Sequence, residues 1–82
     1  MGTLLRIGAW RAMIYTLDHG PAHVHLVGPD GRAKIALNCP DGPPVPIDVR
    51  GVDAAVIKKS VRLIGESLSQ LCQAWRSLHG TY

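Results

Sequence analysis

Residues 22–37 read AHVHLVGPDGRAKIAL, and this stretch decides the fold. The turn-forming run Gly28-Pro29-Asp30-Gly31 sits at its centre as a four-residue hairpin loop. On either side the apolar residues alternate. Val24 and Leu26 share one face before the turn, and Ala33, Ile35 and Leu37 share one face after it. Pairing Val27 with Arg32 sets Leu26 against Ala33 and Val24 against Ile35, so the two apolar sets agree in a single register. His23, His25, Arg32 and Lys34 then point to the opposite face, with His25 across from Lys34.

Two further strands flank the hairpin. Residues 10–17, rich in apolar and aromatic side chains, read as a strand before it. Residues 45–49 read as a fourth, with Val45, Ile47 and Val49 on one face. Pro44 and Pro46 lack amide donors, which confines that strand to a sheet edge. From Asp53, a plausible N-cap, the apolar positions are Ile57, Val61, Ile64, Leu68, Leu71, Trp75 and Leu78, at alternating steps of four and three. That seam predicts one helix over residues 53–78, stopped by Gly80. At the usual rise it would be about 39 Å long. A chain of this size has a radius of gyration of only about 12 Å, so the helix must overhang the sheet or bend near Gly65.

The expected architecture is therefore α+β: an antiparallel meander of three or four strands, over residues 10–17, 22–27, 32–38 and 45–49, covered by one long C-terminal helix in a single domain. With 82 residues there is room for one small core, which excludes a large cofactor-binding enzyme. Hydrophobic residues make up 46% and charged residues 18%, a globular composition. No run of eighteen apolar residues exists to span a bilayer, and Arg6 and Arg11 interrupt the apolar start that a signal peptide would need. The expectation is a cytoplasmic protein with no membrane partner. Cys39 and Cys72 are expected to be free, one exposed and one in the core. A net charge of +3 permits anionic partners without demanding them.

The chemistry concentrates in Asp18-His19-Gly20-Pro21-Ala22-His23-Val24-His25. Three imidazoles and a carboxylate fall within eight residues, with His23 and His25 on one strand face and Lys34 beside them. Three uses fit. In the first, His23, His25, Lys34 and Asp18 form a catalytic group acting on RNA or another phosphate ester, with Arg32 and Lys34 as anion clamps and Asp18 orienting His19. In the second, His23 and His25, joined by His19 or Asp18, hold zinc or another divalent metal, although Lys34 would oppose a cation there. In the third, the face binds a ligand in a pH-dependent way without catalysis. Separately, the length of the helix points to a docking face for a small partner protein or a second copy, with Val56 and Leu63 flanking the seam. Such a protein would be a non-enzymatic binding module or adaptor.

The same eight residues resemble the Asp/Glu-His-x-Pro-Pro-His-x-His signature of a bacterial family known as domain of unknown function 4160. Ala22 stands where the pattern has its second proline, which loosens the turn that holds His19. The likeness continues through Ala33-Lys34-Ile35 and a closing helix that carries Trp75. Members are encoded beside another small protein, as toxin–antitoxin pairs are. The resemblance thus implies a bacterial toxin–antitoxin-type component with a partner protein and an RNA or nucleotide target.

Overall fold

The computed structural model describes residues 5–82. Five strands and two helices follow one another: β1 (Leu5–Ile7), β2 (Trp10–Met13), β3 (His23–Val27), β4 (Arg32–Ala36), β5 (Val45–Arg50), α1 (Ala54–Glu66) and α2 (Leu68–His79). The strands form one antiparallel meander in the order β1-β2-β3-β4-β5. The α+β class and the antiparallel sheet agree with the sequence reading. The strand count and the single helix do not.

The central hairpin has the expected register: Val27 pairs with Arg32, Leu26 with Ala33, His25 with Lys34 and Val24 with Ile35. Its tightness explains two glycines. A Cβ on Gly28 would run into the Trp10 indole, and one on Gly31 into the backbone carbonyls of Arg50 and Gly51. Trp10, which the sequence leaves without a role, thus packs across the end of β3.

β1 is an additional strand. Leu5–Ile7 folds back on Trp10–Met13 through a tight turn in which Gly8 takes a φ of 61°. The strand read over residues 10–17 stops at Met13. Beyond it the Asp18 carboxylate accepts the Tyr15 N–H at 3.0 Å and the Tyr15 carbonyl accepts the Asp18 N–H at 3.2 Å, so a local turn replaces the ladder. The strand read over residues 32–38 ends at Ala36, and Asn38 turns the chain with a φ of 53°. β5 runs along the sheet edge, as Pro46 requires, but a register shift opposite Lys34 and Ile35 sets Val49 against Ala33 and Val45 against Ala36, so Val45 and Val49 do not share the face expected of them.

The long helix divides at Ser67. Its N–H is shared between the Leu63 and Ile64 carbonyls, and its φ of −110° leaves the helical range. A nearby Gly65/Ser67 pair is a recognised cause of such kinks. The break resolves the length problem, since the whole molecule is only 32 Å in its longest dimension. The seam survives it: Ile64, Leu71 and Trp75 are buried, and Ile57, Val61, Leu68 and Leu78 pack partly against the core. Val56 and Leu63 also lie against the core and are half-buried, so the apolar flank belongs to the sheet cover. Asp53 precedes α1 as expected but makes no side-chain capping bond, whereas Gly80 ends α2 in the left-handed conformation with a φ of 81°.

Cys39 and Cys72 form a disulfide, contrary to the expectation of two free thiols. The two are 33 apart in sequence with β5 and α1 between them, and the return of α2 across the sheet brings Cys72 to the loop after β4. Persistent disulfides belong to oxidising compartments, which pulls against the cytoplasmic expectation. Among the described residues, no helix is long and apolar enough to cross a membrane.

Candidate functional site

The β2–β3 connection and the first turn of β3 build the site. After Met13 the chain loops out through Thr16 and Leu17 and returns Asp18 over the start of β3. Alternation along β3 sends Val24 and Leu26 into the core and leaves His23 and His25 on the other face. Asp18 descends onto that pair.

His25 Nε2 lies 2.9 Å from Asp18 Oδ1 and 3.1 Å from Oδ2, so its N–H donates to both carboxylate oxygens. His23 Nε2 lies 3.7 Å from Asp18 Oδ2. The other nitrogen of His23, Nδ1, is 2.9 Å from the Pro21 carbonyl oxygen. A carbonyl only accepts, so Nδ1 carries the proton and a neutral His23 presents a lone pair at Nε2. One donor atom from each of Asp18, His23 and His25 falls within 4.8 Å of the others. Side-chain exposure is 10–18% for the three, so they are sheltered without being sealed.

Partial burial alone would raise the Asp18 carboxyl. The hydrogen bonds from His25 and from the Tyr15 N–H, with the positive fields of His25 and His23, outweigh it and hold the carboxyl below its usual range.

The rings around the carboxylate form a continuous chain of tilted and edge-to-face contacts. Tyr15 lies against His25 at 4.6 Å between centroids, His25 against His23 at 5.0 Å, His23 against Trp75 at 5.1 Å, and Trp75 against His79 at 4.0 Å. Trp75 therefore does more than fill the core: it backs the ring of His23. Tyr15 and His79 are the other members of this chain of rings that sequence reading misses. Tyr15 is an unassigned aromatic in a presumed strand, and His79 looks like a surface residue at a helix end.

Other candidates fall differently. His19 is exposed and stands outside the cluster, so it is neither the third ligand nor the partner of Asp18. Its backbone follows Asp18 directly, and only one of two neighbours in an extended turn can face inward. Lys34 and Arg32 are exposed on β4 and line an open concavity of about 520 Å³ with Tyr15, His25, Asp48 and Arg50. Asp18 and His23 do not line it, so His25 is the wall shared between the carboxylate–imidazole cluster and the basic concavity. Lys34 therefore stands across His25 from the cluster.

The chain matches no protein-family profile, no curated protein and no solved structure.

Proposed function

We infer that Asp18, His23 and His25 hold one divalent transition-metal ion, zinc being the simplest case, beside a concavity that receives an anionic group. The observation that carries this reading is the convergence of three donor atoms within 4.8 Å, two of them imidazole Nε2 atoms. Donors around a tetrahedral zinc stand about 3.3 Å apart for metal–nitrogen bonds of about 2.0 Å. The two carboxylate–imidazole spacings, 2.9 and 3.7 Å, bracket that value, and with all three donors inside 4.8 Å, rotation of the rings toward the carboxylate brings them onto one ion. The Pro21 carbonyl that accepts from His23 Nδ1–H is the kind of outer partner that fixes a metal-ligating imidazole. Binding replaces the proton that His25 Nε2 shares with Asp18, and that ring then keeps its proton at Nδ1. Three protein ligands leave at least one position for water or substrate, where the metal supplies Lewis acidity.

A second reading keeps the same residues without metal. His25, oriented by Asp18, is then an acid–base dyad whose Nδ1 serves a phosphate ester held by Arg32 and Lys34. The twofold Asp18–His25 contact favours it. The toxin–antitoxin assignment rests on the motif resemblance alone. The partner face at Val56 and Leu63 loses its motivation, since both residues pack against the core.

Zinc titration by calorimetry separates the two readings. The first expects one ion per chain and loss of binding in His23→Ala, with an unchanged far-UV circular dichroism spectrum. Absence of zinc binding in the wild type, or equal binding in the variant, overturns it and leaves the dyad.

A further inference from the structure

The sheet face away from the helices carries a line of arginines. Strand register sets Arg6 opposite Arg11, Arg11 opposite Val27, Val27 opposite Arg32, and Arg32 opposite Arg50. One row thus crosses all five strands at right angles, with arginine at every place except the middle one. All four guanidinium residues are exposed. At the usual strand spacing the row is about 19 Å long. Among the described residues the one ion pair of the row is Arg50 with Asp48 at 3.7 Å, and Asp48 also stands opposite Lys34 in the larger concavity.

Like charges placed directly opposite each other destabilise a sheet. Two of the contacts in this row, Arg6 with Arg11 and Arg32 with Arg50, are of that kind. Core packing does not require arginine at these places, because the residues face solvent. An extended anion laid along the row would offset the repulsion. The surface is also shaped for one: a concavity at Arg6 and Arg11 and the larger one at Arg32, Lys34 and Arg50 meet at Val27. At the rim of the larger concavity stands Tyr15, 39% exposed, with one ring face against His25.

We propose that this row is a track for the backbone of a single-stranded nucleic acid. Arg6, Arg11, Arg32 and Arg50 contact successive stretches of phosphate, Lys34 takes a phosphate next to His25, and Tyr15 offers a stacking surface to a base. A single row of cations serves one backbone, and stacking on Tyr15 needs an unpaired base; both features select a single strand over a duplex. The proposal deepens the reading of the site by naming the ligand that reaches His25. The binding itself does not depend on a metal.

The test is fluorescence anisotropy with a labelled oligouridylate of about twelve nucleotides, within the range that single-strand binding surfaces cover. The full chain is kept in EDTA and the salt concentration is varied. Neutralising five phosphates, one for each arginine of the row and one for Lys34, predicts a slope of log K against log salt of about −3.5. Arg11→Gln/Arg32→Gln, which leaves three of the five contacts, should reduce that slope to about −2 and weaken binding at low salt by about tenfold or more, with an unchanged circular dichroism spectrum. Because EDTA withholds any metal, oligonucleotide binding is read independently of the zinc titration, so loss of the metal reading and loss of this one are distinct results. Failure of the wild type to bind, or an unchanged slope in the double arginine variant, overturns the track. Equal affinity for a duplex of the same length overturns the single-strand assignment. Tighter binding to phosphatidylserine vesicles than to the oligonucleotide reassigns the face to a membrane and overturns the proposal.

Discussion

His25 Nε2 lies almost midway between the two carboxylate oxygens of Asp18, at 2.9 and 3.1 Å, although the residues are seven apart in sequence. The contact ties the β2–β3 loop to the strand that it leads into. Asp18→Asn keeps the shape and removes the charge and one acceptor. Zinc affinity, measured by competition with a chromogenic chelator, should fall by more than the 10- to 100-fold (about) that loss of a merely supporting partner costs. An unchanged affinity would mean that Asp18 is not a ligand.

The same carboxylate makes stability depend on pH in the metal-free protein. Its folded pKa is held below the ordinary value of 3.8. The unfolded state therefore takes up the proton first as pH falls. The stabilisation is fully present above the ordinary carboxylate value and is lost as pH drops through the depressed folded one. Urea denaturation of wild type and Asp18→Asn in EDTA should give a stability gap at pH 6 that narrows progressively as pH falls below the ordinary carboxylate value. A gap that widens on acidification would contradict the depressed carboxyl.

The disulfide closes a loop between residues 33 apart in sequence, across β5 and α1. In the chain-entropy account, closing a loop of that length is worth about 3–4 kcal/mol. For a chain of this size that is a large share of the total stability. Reduction, or the Cys39→Ser/Cys72→Ser variant, should lower the denaturation midpoint sharply. Electrospray mass of the native protein should be lighter than that of the reduced protein by two hydrogen atoms. Equal masses would show that the thiols are free.

Trp75 is 1% exposed and touches both His23 and His79. Trp75→Ala removes the largest buried side chain and should cost about 3–5 kcal/mol. Trp75→Phe keeps most of the packing. It should leave the protein folded while weakening zinc binding, because the ring that holds His23 in place is smaller. Wild-type zinc affinity in Trp75→Phe would restrict Trp75 to a packing role.

The central hairpin was legible because period-two alternation and the Gly28–Gly31 turn admit only one register. The helical seam was equally legible, since a spacing of four and three survives a kink. The kink itself was not: near-identical patterns describe a straight and a bent helix, and only the small sheet beneath forces the choice. β1 escaped notice because three residues are too few to display a period. Period-two spacing along one strand picks out His23 and His25, but the choice between Asp18 and His19 as their partner depends on how a loop folds back. The Cys39–Cys72 bond and the arginine row depend on long-range register, which single residues do not advertise.

Nitrogen-15 NMR of the imidazole rings, recorded with and without one equivalent of zinc, reports each ring nitrogen of the four histidines separately. If Asp18, His23 and His25 share one ion, the Nε2 resonances of His23 and His25 move together. The Nδ1 of His23 stays protonated, and His19 and His79 are unaffected. Movement of His19, or no movement of His23 and His25, would contradict the metal centre.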